Sequence, residues 1–80
     1  MGVPKRLTEM QRRFAELLVF GDKDGPLSQT EAAIQAGYSP DRARVTASEL
    51  QSYKMYPKSA AYIAELRKEK LQKFEVNYEN

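Results

Sequence analysis

The 80-residue chain contains no cysteine and no histidine. Without cysteine it can form neither a disulfide nor a thiolate metal site. Without histidine it lacks the commonest general base and any His-paired nucleophile, which argues against an enzyme and leaves only carboxylate chemistry open. Long apolar runs are missing as well. No stretch approaches the roughly 20 residues of a membrane span, and no signal-peptide core follows the N-terminus. The expectation is an unprocessed cytoplasmic protein with no membrane association, no cofactor and no metal. Charge of one sign is also scarce in surplus: 13 Lys and Arg against 11 Asp and Glu leave a net +2. A free-standing nucleic-acid binder often carries more, so the placement of charge matters more than its sum.

What is present fits a small helical globule. Hydrophobic residues make up 41 % of the sequence, too many for a disordered tail. A chain of this length forms one domain at most and buries only about 60–65 % of its unfolded surface, so modest stability is expected. The chain is organised around Ser28 to Leu50, which reads as two short helices joined by a tight turn at Gly37, Tyr38 and Ser39. Ser28 and Glu31 have the spacing of a capping box. Gly37 suits the left-handed residue that ends a helix. Ser39 can cap the next helix, with Pro40 at its first position, where a missing N–H costs nothing. Two helices around a short Gly-containing turn make a helix-turn-helix, whose second helix commonly enters the DNA major groove.

Elsewhere, Thr8 and Gln11 form a second capping-box candidate. Met10, Phe14, Leu17 and Leu18 then give the stripe of an amphipathic helix over Glu9 to Phe20, stopped by Gly21. Gly21 to Pro26 is a surface loop with an Asp-Gly turn signal. Its Asp22-Lys23-Asp24-Gly25 has the look of a calcium loop, yet Ala33 falls where the bidentate Glu belongs, so a turn is the better reading. In the third helix Ala43, Ala47 and Leu50 share an inward arc, and Asp41, Arg44, Val45 and Ser48 lie opposite. Pro57 restricts Tyr56, so this helix is expected to end near Tyr53 and a fourth to open at Pro57. Inward positions of the fourth are Ala60, Ile63, Ala64 and Leu66. If helicity continues, Leu71, Phe74 and Tyr78 extend the stripe, either packing on the domain or meeting another subunit. The fold class is therefore all-α, a small four-helix domain containing a helix-turn-helix. Its expected divisions are a flexible basic arm over 1–7, a DNA-binding domain over 8–66, and a helical extension over 67–80 that could begin an oligomerisation region.

The string Thr30-x-Ala32-Ala33-Ile34-x-Ala36-Gly37-Tyr38-Ser39, followed by Arg42-Ala43-x-x-x-Ala47-Ser48-x-Leu50, resembles the small subunit of bacteriophage terminase. Leu7-Thr8-Glu9-x-Gln11-Arg12-Arg13-Phe14 is similar to that family's first-helix opening, and Pro57-Lys58 with Tyr62-Ile63-x-x-Leu66 to its fourth helix. The likeness runs from about Leu7 to Leu66. The loop Gly21 to Leu27 and the segment Tyr53 to Tyr56 are longer than the family's usual links. Family members continue into ring-forming helices and a tail that meets the large subunit. A chain ending at Asn80 is therefore expected to be an isolated DNA-binding portion or an unusually short member. The resemblance implies a non-catalytic protein of the host cytoplasm that binds the packaging-initiation site on double-stranded viral DNA. Its other implied partners are the terminase large subunit, which it recruits and regulates, and further copies of itself in a homo-oligomer. A small helix-turn-helix transcriptional regulator, or a helical adaptor for the motor that never reads DNA, are the alternatives.

Phosphate contacts need cations near the backbone, and sequence reading needs donors and acceptors at base edges. Arg44 is the leading candidate, able to bind a guanine edge through two hydrogen bonds or else to pair with Asp41 or Ser48 on a solvated surface. Arg42 suits a phosphate or an intramolecular partner, Glu49. Ser48 and Val45 complete the outward arc. Lys5 and Arg6 either reach a minor groove from the arm or serve as a solubilising tail. Arg67, Lys68, Lys70 and Lys73 read mainly as a solvated helix face, and Tyr38, Tyr53, Tyr56 and Tyr62 as core or core-edge packing.

Overall fold

A computed structural model of the chain describes residues 7–79, with side chains described through residue 73. It contains four helices: α1 (Glu9–Phe20), α2 (Gln29–Ala36), α3 (Ala43–Leu50) and α4 (Pro57–Glu79). Among the described residues the only β pairing is an isolated bridge between Asp22 and Gly25. The all-α expectation holds.

The helix ends follow the local chemistry. At α1 both capping-box bonds form: the Gln11 N–H donates to Thr8 Oγ1 at 3.1 Å and the Thr8 N–H to Gln11 Oε1 at 3.3 Å. The helix stops where Gly21 turns to φ 76°. At α2 Ser28 Oγ accepts the Glu31 N–H at 3.1 Å, with no reciprocal bond among the described residues. Its far end is a Schellman closure. Gly37 sits at φ 114°, its N–H bonds the Ile34 carbonyl at 3.0 Å, and the Tyr38 N–H bonds the Ala33 carbonyl at 3.0 Å.

Both ends of α3 differ from expectation. Ser39 makes no side-chain cap, and α3 starts at Ala43 with Arg42 in the cap position. The intervening residues form a 3₁₀-like turn, with the Arg42 N–H on the Ser39 carbonyl at 3.1 Å and the Ala43 N–H on the Pro40 carbonyl at 3.4 Å. Helical phase explains this. Ala43, Ala47 and Leu50 are buried, Tyr38 is tied down against the core, and the turn takes up the chain between them. At the other end α3 stops at Leu50, short of Tyr53. Ser52 diverts the backbone: its carbonyl accepts the Tyr56 N–H at 2.8 Å and its Oγ the Met55 N–H at 3.3 Å. A serine offering the backbone a local alternative competes with helix continuation.

The core joins α1 to α2 and α4, and α2 to α3. Phe14 and Ala15 of α1 are fully buried with Val19 beside them, whereas Met10 lies at the surface. The inward face of α1 is thus turned by about one residue from the expected stripe, while Leu17 and Leu18 pack at its margin. Ala32, Ala33, Ala36, Ala43 and Ala47 are all buried, and these small residues let α2 seat closely between its neighbours. In α4 the buried set is Ser59, Ala60, Tyr62, Ile63 and Leu66. Ala64, expected inside, is exposed, because that helical phase points it away from α1.

Two polar ties lock α4 to α1. Lys70 Nζ donates to the Val19 carbonyl at 2.9 Å, supplying a cation where the last turn of α1 has none of its own. Tyr62 donates its hydroxyl to Glu16 Oε2 at 3.0 Å. Burial, aided by the Glu16 carboxylate, raises the Tyr62 pKa above its ordinary value of 10.0. Because the folded pKa is the higher one, the folded state holds the proton longer. The resulting stability is full below about pH 10 and is lost as pH rises through the folded value. Tyr62→Phe should cost about 1 kcal/mol at neutral pH, since solvent screens the exposed carboxylate. Denaturant melts at pH 7 and pH 10.5 should show a smaller gap in the variant than in the wild type. An unchanged gap would assign the alkaline loss to other groups.

With 23 residues α4 spans about 35 Å, against about 18 Å for the 12 residues of α1. Its end outruns the helix it packs on, and Leu71 is left 60 % exposed. Phe74 and Tyr78 lie outside the described side chains.

Candidate nucleic-acid interface

The helix pair α2–α3 presents one outward face. Ala43, Ala47 and Leu50 turn into the core, which forces Arg44, Val45 and Ser48 to the opposite side, where all three are exposed. Arg44 is the second residue of α3, close to the end that base-reading helices commonly insert. Arg42 precedes the helix and is exposed beside it, as is Asp41. Val45, 51 % exposed, is an apolar group of the kind that contacts a thymine methyl. Arg44, Val45, Ser48, Glu49 and Gln29 line an open groove of about 420 Å³ between α3 and the start of α2.

Gln29 was not evident in the sequence as part of this face. It enters through Gln51, whose Nε2 donates to Gln29 Oε1 at 2.8 Å and to the Ala47 carbonyl at 3.0 Å. The Ala47 bond fixes the Gln51 side chain at the end of α3, and the Gln29 bond pins the start of α2 against it. Behind the face, the loop before α2 is fixed by Asp22. Its Oδ2 accepts from Gln35 Nε2 at 3.1 Å and its Oδ1 from the Asp24 N–H at 2.9 Å. The Gln35 bond and then the Asp24 N–H hold this carboxyl below its ordinary pKa of 3.8. Loop and α2 should therefore loosen as pH falls below that range. Asp22 is thus committed to the protein's own amides, and among the described residues no group of carboxylates converges as a metal site.

The remaining sequence candidates separate in space or fall outside view. Lys5 and Arg6 lie outside the described residues. Leu7, at the end of the expected arm, packs against the core. Tyr62 is buried and Tyr38 half-buried beside Thr8, its pKa raised by burial. Tyr53 is not core packing: it is 62 % exposed, because the Ser52 turn swings it outward. Tyr56 is likewise at the surface. A larger open groove of about 620 Å³ runs along the α1–α4 seam, over Leu17, Phe20, Tyr62 and Leu66. Its rim mixes Arg13 with Glu16, Glu65 and Glu69, which suits DNA poorly.

The model of the terminase small subunit family matches residues 7–80, nearly the whole chain. The chain belongs to the terminase small subunit family. It thereby has a role in phage genome packaging, in a family that is generally regulatory and non-catalytic. No curated protein and no solved structure gives a match. The match includes the loop Gly21 to Leu27 and the segment Tyr53 to Tyr56. No helix among the described residues is long and apolar enough to cross a membrane.

Proposed function

We propose that this terminase small subunit binds the packaging-initiation site on double-stranded viral DNA through α2 and α3, arranged as a helix-turn-helix, and that it recruits and regulates the large subunit in the host cytoplasm. The observation that carries the reading is the shared exposure of Arg44, Val45 and Ser48 on the face opposite the buried Ala43–Ala47–Leu50 arc, with Arg42 exposed just before the helix. Arg44 is assigned to a base edge, Arg42 to a phosphate, and Ser48 and Val45 to flanking contacts. Lys5 and Arg6 extend the contact from the arm.

Few cations face the DNA, so affinity per copy is weak and steeply salt-dependent. Useful binding follows when several copies are held together and effective concentration does the rest. In this reading residues 8–66 form the DNA-binding unit, and 67–80, with exposed Leu71, begin an association region.

The test is a salt titration of binding to a duplex carrying the packaging-start region. Arg42→Ala with Arg44→Ala should weaken binding at least tenfold at low salt, from about 1–3 kcal/mol for a bidentate base contact plus one phosphate. The slope of log affinity against log salt should flatten by about one, from the single phosphate assigned to Arg42. Unchanged affinity with the fold intact would remove α3 from the interface. No binding by the wild type at low salt would leave the adaptor role standing.

A further inference from the structure

The turn between α3 and α4 exposes large apolar side chains where a small domain should hide them. Tyr53 is 62 % exposed, Met55 56 % and Tyr56 37 %. Lys54 and Lys58 are interleaved with them and also exposed. No Asp or Glu occurs between Glu49 and Glu65, so the segment is purely basic in a chain that otherwise balances its charges. A loose loop is not the cause. The Ser52 N–H bonds the Glu49 carbonyl at 3.0 Å, the Tyr56 N–H bonds the Ser52 carbonyl at 2.8 Å, and Ser52 Oγ holds the Met55 N–H at 3.3 Å. The backbone is tied down, and the tie presents Tyr53, Lys54 and Met55 outward. Lys58 is in the first turn of α4, the helix end where a cation is electrostatically disfavoured. Its position needs a reason other than helix stability.

We infer that the Tyr53–Lys58 turn is a second DNA contact, in which Lys54 and Lys58 bind phosphates and Tyr53 and Met55 pack on the adjoining deoxyribose. This rests on the proposed reading of α3 as the DNA-facing helix and adds a site to it. Placement supports the addition. Tyr53 is three residues beyond Leu50, so its Cα lies within about 11 Å of the end of α3. The 8-residue helix is itself about 12 Å long, close to the width of the major groove. With the start of α3 at the bases, the turn after it falls at the bordering backbone. Phosphate-anchoring side chains position a reading helix there without adding sequence information. Cations beside exposed apolar groups suit a sugar–phosphate surface, which offers negative oxygens beside apolar ribose edges. They also offset the small number of cations on α3.

The test measures binding of the full chain to a random-sequence duplex of about 20 base pairs across a salt series. Lys54→Ala with Lys58→Ala should flatten the log–log salt slope by nearly two, about 0.9 for each phosphate released. Tyr53→Ala with Met55→Ala should weaken binding several-fold and leave the slope unchanged, because no charge is removed. Lys23→Ala with Lys68→Ala, a charge-matched change elsewhere on the surface, should leave the slope within about 0.3 of wild type. Circular dichroism melts confirm that each variant is folded. If the turn variants and the distant pair flatten the slope equally, or neither does, the turn is not a contact. Unchanged DNA binding together with lost stimulation of the large subunit's ATPase would assign the turn to that protein. Wild type failing to bind any duplex at low salt would overturn the α3 reading as well, whereas binding lost in the Arg42–Arg44 variant but unaffected by the turn variants would overturn this inference alone.

Discussion

Phe14→Ala should remove about 3–5 kcal/mol, a large fraction of the domain's stability. The side chain is fully buried, at the centre of the cluster that ties α1 to α2 and α4. Truncating a buried Phe to Ala typically costs about 3–5 kcal/mol, from the lost transfer free energy plus the cavity left behind. Alanines of the same cluster, Ala15, Ala32 and Ala33, have too little side chain to fill that cavity. A domain of this length has about 4–12 kcal/mol in total. One substitution therefore removes a large fraction of the stability. Phe14→Leu keeps most of the volume and should cost under about 2 kcal/mol. Urea melts of the three proteins read both numbers directly. A loss below about 1 kcal/mol for Phe14→Ala would mean that the α1 seam closes around the gap, and that α1 is not the pillar of the fold. The proposed DNA binding should decline in proportion to the unfolded fraction, since Phe14 is buried in the core and not on the exposed face of α3.

Local chemistry made most of the helix limits legible. Thr8 with Gln11, Gly21, Ser28 and Gly37 each act within a few residues of themselves, and α1 and α2 begin and end where these residues indicate. The start of α3 was less legible because Ser39 and Pro40 satisfy the same local rule as a helix cap. What decides against them is tertiary: Ala43 has to meet the core in phase with Ala47 and Leu50. Its end turned on Ser52, whose competition with the helix is a weak signal beside the stronger mark of Pro57. That serine is also why Tyr53 is displayed to solvent when its composition suggested packing. The exposure of Arg44, Val45 and Ser48 was readable from helical period alone. The bond between Gln51 and Gln29 was not, because it joins positions 22 residues apart through a packing angle that periodicity does not specify.

Gly21→Ala carries the other large expected effect, and it reaches the proposed DNA face through the loop. Gly21 has φ 76° and ψ −168°, a region that side chains with a Cβ scarcely enter, so strain alone costs about 1–3 kcal/mol. A Cβ there would also collide with the Gly25 carbonyl oxygen and stand 2.8 Å from its carbon. Both are backbone atoms. They cannot rotate aside as a side-chain end can, so the Asp22–Gly25 pair of N–H···O bonds, each 3.0 Å, would have to open. Together these give an expected loss of roughly 3–4 kcal/mol. Gly37→Ala is the internal comparison. It too has a left-handed φ, but the nearest atom to a new Cβ is the flexible Met10 Cε at 3.4 Å. Strain without a backbone collision should cost about 1–2 kcal/mol. Thermal melts should therefore rank Gly21→Ala well below Gly37→Ala, and equal losses would contradict the collision. The functional consequence follows from the same loop. Opening it moves Asp22, which holds Gln35 of α2 at 3.1 Å, while Gln29 at the other end of α2 is pinned to α3 by Gln51. A terminase small subunit carrying Gly21→Ala should lose affinity for DNA at temperatures where it is still helical.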